Sequence, residues 1–220
     1  FCMEHPPAIL CYGAICADLR MRLPHLPAPG EGIRVREARW VAGGNSLIEA
    51  RALAEWGEAV ALLGDHLGLD APGDVVAAEL ARLGLDGHVV RDPAAQTVVC
   101  HVLLTPDGQR SILALRPDAP PPAPPDDALI AACRVVSVTR YGHGSAELAA
   151  RARAAGRRVA AGDATRPDDA LARHADLIVT SAELLAAHAP GVEVWSQMAA
   201  LHAVRGAAVV VSDGPRPARA

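Results

Sequence analysis

The sequence predicts an α/β protein of three layers, a mostly parallel central sheet flanked by helices, with a small β lid beside it. Three observations carry this. Beyond residue 126, apolar runs of strand length alternate with helical stretches, a pattern that lays strands parallel and folds each crossover back over the sheet. Between residues 40 and 86 a glycine pair, Gly43 and Gly44, sits where a strand hands over to a helix, and a second strand and helix follow at once. Segments 20–40 and 96–116, flanked by Pro or Gly, fit badly into that parallel scheme and read as the lid. The 220 residues are 51% apolar, enough for a substantial core, and we expect one domain over 1–220.

The elements follow in order. Residues 8–16 are a continuous apolar run, the opening buried strand, with Asp18 just past its end. Segment 20–40 is first rich in Pro and Gly and then alternates. Ile33 and Val35 would face one way and Arg34 and Arg36 the other, as in a half-exposed strand. A helix over 46–56 presents Leu47, Ala50, Leu53 and Ala54 on one face. Residues 60–63 form a short strand, and 74–83 a helix ended by Gly84. In 96–115 two β-rich runs flank Asp107-Gly108, a pair that accepts the positive φ angles of a tight hairpin. The Pro-rich stretch 117–125 breaks regular structure. Strand 134–138, helix 145–155, strand 157–161, a short helix at 168–173 and strand 176–180 come next. Helices over 182–187 and 195–204 precede a last strand, 207–212.

Composition excludes several functions. Formal charge is −4 and every basic residue is a scattered arginine, which describes solvated helix faces rather than a nucleic-acid surface. Aromatic residues make up 3%, too few for base-stacking platforms. No apolar run approaches membrane-spanning length. Five cysteines, Cys2, Cys11, Cys16, Cys100 and Cys133, form no C-x-x-C and do not suggest a disulfide framework, so a reducing cytoplasm is expected. The nine histidines, His101 and His143 among them, show no metal-ligand spacing.

Chemistry concentrates at a few positions. Asp18 and Asp163 each follow a strand, and ligands of doubly wound sheets gather beyond the strands' carboxyl ends. A carboxylate there accepts strong hydrogen bonds from hydroxyls. Gly43 and Gly44 let backbone approach a ligand, since no Cβ intervenes. Gly64, Gly68, Asp70 and Gly73 form a glycine-rich stretch in which Asp70 reads as a turn or capping residue. Glu183 opens a helix after the strand 176–180, and Ser212 and Gly214 end the last strand.

Taken in this order, the segments W-V-A-G-G-N-S-L-I-E-A, A-D-L-I-V-T-S-A-E-L-L and A-A-V-V-V-S-D-G resemble the PfkB/ribokinase family of carbohydrate kinases. The resemblance implies a ribokinase-like fold and transfer of the ATP γ-phosphate to a hydroxyl of a sugar or sugar-like alcohol. It implies that Asp18, Gly43, Gly44 and Asn45 hold the acceptor, that Ser212 and Gly214 begin the ATP site, and that Glu183 orders Mg²⁺. It also allows a homodimer through the β lid.

The sequence departs from the family pattern in three places. The signature Gly-Gly-x-x-x-Asn has Ile48 at its Asn position, and Thr180 stands where the family has the Asn of Asn-x-x-Glu. No Gly-Ala-Gly-Asp occurs, the segment whose backbone N–H groups hold the developing phosphate charge and whose Asp takes the hydroxyl proton. The expectation is therefore a fold lacking its C-terminal part, no catalytic residue, and an inactive fragment. One alternative is a non-catalytic pseudokinase that binds a sugar-like ligand. Another is a nucleotide-dependent oxidoreductase, since Gly142, Gly144 and Asp163 imitate part of a dinucleotide fingerprint; there, however, Glu147 replaces the third glycine and would repel pyrophosphate.

Overall fold

Two strands share the opening apolar run, and the step between them organises the molecule. β1 (Ile9–Gly13) belongs to a seven-stranded sheet, whereas β2 (Cys16–Arg22) belongs to a four-stranded one. Only Ala14 and Ile15 separate them, and both are buried, which is why the run reads as one strand in sequence. Asp18 consequently lies inside β2 rather than after the opening strand. The structure, a computed structural model, describes residues 7–117, 123–139 and 144–220. Cys2, Gly142, His143 and the middle of the Pro-rich stretch lie outside the described residues.

The larger sheet is completed by β4 (Val60–Gly64), β7 (Val135–Thr139), β8 (Arg158–Gly162), β9 (Leu177–Ser181), β10 (Ala208–Asp213) and β11 (Arg216–Arg219), in the order β11-β10-β9-β8-β7-β1-β4. All neighbours are parallel except β10 and β11. Helices α1 (Asn45–Glu55), α2 (Ala71–Leu83), α3 (Asp127–Ala132), α4 (Ser145–Ala154), α5 (Ala182–His188) and α6 (Val194–Arg205) cover it. β1 shows how the layers form. Leu10 and Tyr12 join the core with Leu148 of α4, Leu185 of α5 and Leu201 of α6. Cys11, between them, joins the opposite core with Leu47 of α1 and Val76 and Leu80 of α2. A strand buried on both faces by its period of two is the signature of a doubly covered parallel sheet.

The second sheet pairs β2 with β3 (Glu37–Gly43) and β5 (Val99–Leu104), and β5 with β6 (Arg110–Leu115), in the order β3-β2-β5-β6. The Asp107-Gly108 hairpin turns as expected, with Gly108 at φ +83°. The Ile33–Val35 alternation does not form a strand: pairing begins only at Glu37, and Val35 is exposed. The helix expected at 168–173 is a series of turns, while α3 and the return strand β11 go beyond the sequence reading.

Local chemistry fixes the α2 start. Asp70 caps it, accepting from Gly73 N–H at 2.7 Å, and Pro72 is tolerated in the first turn because its missing N–H has no helical partner there. Asp70 also accepts from the Thr97 N–H (2.9 Å) and hydroxyl (2.6 Å), so this cap ties α2 to the residues leading into β5. Although partial burial works against it, the bonds from Thr97 and Gly73 hold the Asp70 carboxyl below its ordinary range. Among the described residues no helix is long and apolar enough to cross a membrane.

Candidate functional site

Strand order singles out one edge of the larger sheet. From β1 the chain passes to β4 on one side and later to β7 on the other, so the order reverses beside β1. Such a reversal opens a crevice at the carboxyl ends of the strands, where ligands of open α/β sheets sit. Asp18, Gly43, Gly44 and Asn45 all gather at that end of β1, because β2 departs from there, the antiparallel β3 brings the chain back with Gly43 opposite Cys16, and α1 follows at once.

Asp18 is buried, with 8% of its surface exposed. Its Oδ1 accepts from the Cys16 thiol at 3.3 Å, and the Arg20 guanidinium lies 3.7 Å from Oδ2. Gly43 faces this carboxylate so closely that a Cβ there would stand 2.4 Å from Oδ2. Glycine is therefore required to leave the carboxylate its place. Gly44 is required for a second reason. Its φ is +97°, and a Cβ would meet the Ala14 carbonyl oxygen at 2.2 Å. That oxygen is bonded instead by the Ser46 hydroxyl, at 2.7 Å.

Asn45 opens α1 and donates through Nδ2 to Asp163 Oδ2 at 3.0 Å. Asp163 follows β8 in the left-handed region, φ +61°, the one described non-glycine residue with positive φ. Two residues picked out separately by sequence thus meet across the carboxyl edge. Ile48, at the signature's Asn position, is exposed on α1.

Several contacts of this region escaped the sequence reading. Asp65, just past β4, accepts from the Ile15 N–H (3.2 Å) and from Arg116 (3.1 Å), joining the second sheet to the first. Its position after Gly64, at a strand's carboxyl end, was the available signal. Cys16 and Cys100 come together because β2 and β5 pair in parallel with Asp18 opposite Cys100. The two thiols interact: the bond to Cys100 and burial push Cys16 up, while the same bond draws Cys100 down against its own burial. No local spacing announces a pair brought together across more than eighty residues.

The remaining predicted residues lie at the ends of β9 and β10. Glu183 is exposed in the first turn of α5, after Ser181 caps that helix by accepting from the Leu184 N–H at 3.2 Å. Ser212 stands opposite Ser181 in the β9–β10 pairing, and its hydroxyl lies 3.4 Å from the Thr180 carbonyl. Gly214, φ +58°, forms the turn into β11. Asp213 beside it is buried and paired with Arg216 (2.7 Å) and Arg219 (3.4 Å). The first group thus sits on the second sheet and α1, beyond the carboxyl end of β1, and the second at the carboxyl ends of β9 and β10 of the larger sheet.

Residues 7–220 match the pfkB family of carbohydrate kinases, and the chain belongs to that family. Ribokinase of Arabidopsis thaliana is 30% identical over 115 residues, half of this chain and 29% of that protein. Among solved structures, ribokinase from Giardia lamblia superposes with a TM-score of 0.78 at 18% identity, over 97% of this chain and 72% of its own. Arabidopsis thaliana ribokinase complexed with ribose and ATP gives 0.75 at 21% identity, over 98% and 74%. A microbiome-derived acarbose kinase gives 0.75 at 26%, over 98% and 72%. The ribokinase-like fold is thereby established.

Proposed function

We propose that this chain is the acceptor-binding part of an ATP-dependent kinase acting on a sugar or sugar-like alcohol. The observation that carries the reading is the Asp18 carboxylate. It is desolvated at the reversal of strand order and is given its room by a glycine that no other residue could replace without displacing it. A buried carboxylate with free lone pairs recognises vicinal hydroxyls through strong, charge-assisted bonds. Gly43, Gly44 and Asn45 complete the acceptor group, and a relative of the same fold is complexed with ribose and ATP.

On this reading Ser212 and Gly214 line the start of the ATP site. Mg²⁺ would be held by Glu183 and several waters; one exposed carboxylate suits an ion that keeps much of its hydration. When bound, the ion neutralises phosphate charge. The chain's own part is placement of the acceptor hydroxyl, on which phosphoryl transfer chiefly depends. These 220 residues contain no Gly-Ala-Gly-Asp, so we assign them binding and no proton acceptor. The reading extends to a homodimer in which the apolar residues Trp40, Leu113 and Leu115 of the second sheet meet a second copy.

A thermal-shift screen of pentoses, hexoses and nucleosides, followed by calorimetry, tests the acceptor site. We expect at least one sugar to raise the melting temperature, and the gain to vanish in Asp18→Asn. Absence of any response, or a response unchanged in Asp18→Asn, would remove the assignment.

A further inference from the structure

The face of the second sheet that carries Asp18 also carries Cys16 and Cys100, and the three donor atoms lie within 4.8 Å of one another. We propose that this cluster is a binding site for a soft divalent cation of the zinc type, held by two thiolates and one carboxylate.

The backbone register explains the convergence. Cys16 and Asp18 are two residues apart on β2 and so point to the same face, and Cys100 is the direct partner of Asp18 on β5. Around a tetrahedral zinc with Zn–S of about 2.3 Å, adjacent donors stand roughly 3.5–4 Å apart. The 3.3 Å separation of the Cys16 sulfur from Asp18 Oδ1 is close to that, and no pair of the three donor atoms is more than 4.8 Å apart.

Donor chemistry selects the ion. Two sulfur ligands favour zinc or a similar soft cation over Mg²⁺, which takes oxygen only. Each thiol gives its proton to solvent on binding. Two thiolates, one carboxylate and a dication sum to a single negative charge, and Arg20, 3.7 Å from Asp18, offsets it. Three protein ligands leave a fourth position for water or for a ligand.

The obvious competitor is a Cys16–Cys100 disulfide, and the register opposes it. Cys16 is offset by two residues from the position opposite Cys100. With strands about 4.8 Å apart and about 3.3 Å per residue, the Cα atoms are roughly 8 Å apart. A disulfide needs less than about 7 Å without backbone movement. Metal binding requires no such movement.

Asp18 cannot serve a metal and an acceptor together, so the two exclude one another; this consequence rests on the functional reading above. The site itself is tested without sugar. The reduced full chain is titrated anaerobically with Co²⁺. We expect a near-ultraviolet thiolate-to-cobalt band that saturates at one ion per chain and is abolished by Zn²⁺. Cys16→Ser and Cys100→Ser should each weaken binding at least tenfold and dim the band, whereas Cys2→Ser and Cys133→Ser leave it unchanged. Cys100 is the more exposed of the pair, so its variant gives the test should Cys16→Ser fail to fold. Absence of the band, or a band that survives Cys100→Ser at full strength, would overturn the proposal. A chain that binds cobalt in this way but responds to no sugar would keep the metal site and remove the acceptor reading.

Discussion

The two ends of the candidate site are built in opposite ways. Around β1, β2 and α1 each residue is fixed by another: Gly43 by the Asp18 carboxylate, Gly44 by the Ala14 carbonyl, Asn45 by Asp163. At the ends of β9 and β10, Glu183, Ser212 and Gly214 are exposed, and a Cβ added to Gly214 would meet nothing within 4 Å. The first end is a shape the protein already holds, and the second is a surface whose chemistry depends on what is placed upon it. A preorganised site loses less freedom when it binds, so substitutions at the first end should disturb both folding and acceptor affinity. Those at the second should disturb folding less, by no more than the local backbone or helix-end preference of the residue replaced.

The sharpest break between the ends uses two glycines of positive φ. Gly44→Ala adds a Cβ 2.2 Å from a backbone oxygen, which cannot move as a flexible side chain would. We expect a loss of roughly 3 kcal/mol or more in urea unfolding, where overlap adds to the left-handed penalty. Gly214→Ala, at φ +58° with open space around it, meets that penalty alone, about 1–2 kcal/mol. Equal losses at the two positions would mean that crowding beside Ala14 is not what demands Gly44.

Acceptor affinity comes next. Hydrogen bonds to a charged group contribute about 1.5–3 kcal/mol, so Asp18→Asn should weaken sugar binding by roughly ten- to a hundredfold in calorimetry. Ser212→Ala, at the other end, should leave it within about twofold. A loss shared equally would place the acceptor elsewhere on the sheet edge.

Legibility in the sequence follows the same division. Parallel alternation beyond residue 126 exposed the central sheet, because each buried strand there is a short, mainly apolar stretch separated from the next by a helical one. The Gly pair was readable because glycine is the one residue whose absence of a side chain is itself a signal. What stayed hidden were events between distant segments. The sheet change at Ala14-Ile15 is masked since both sides are buried. The Cys16–Asp18–Cys100 cluster and the Asp65–Arg116 tie arise only from strand pairing and from docking of one sheet on the other. The missed strand β11 is stabilised by Asp213 reaching Arg216 and Arg219, a pattern indistinguishable in sequence from a polar turn.

A third test concerns the scaffold that carries the acceptor end. Asp70→Ala removes a helix cap and two bonds to Thr97, and should cost about 1–2 kcal/mol at neutral pH. The sign with pH is fixed by the depressed carboxyl. A carboxylate whose folded value lies below its unfolded one stabilises above the unfolded value and loses that contribution as pH falls through the folded value. Unfolding curves of the parent and Asp70→Ala should therefore converge in acid, below the ordinary aspartate range. A difference that persisted there would show that the carboxylate's charge is not what holds α2 to β5.

The smallest expected effect is at Glu183. Its side chain is exposed in the first turn of a seven-residue helix, and Ser181 already supplies the cap. A negative charge so placed gains about 0.3–1 kcal/mol from the helix at low salt, and screening reduces it further. Glu183→Gln should accordingly change stability by no more than about 0.5 kcal/mol, the least of the four. If the residue orders Mg²⁺, the variant should nevertheless lose the part of ATP binding that depends on the ion, while ATP binding in the presence of a chelator stays as it was. Titration of ATP with and without Mg²⁺, on both proteins, separates the two. A Mg²⁺ dependence identical in parent and variant would make Glu183 an ordinary helix-start residue and confine the recognisable chemistry of this chain to the acceptor end.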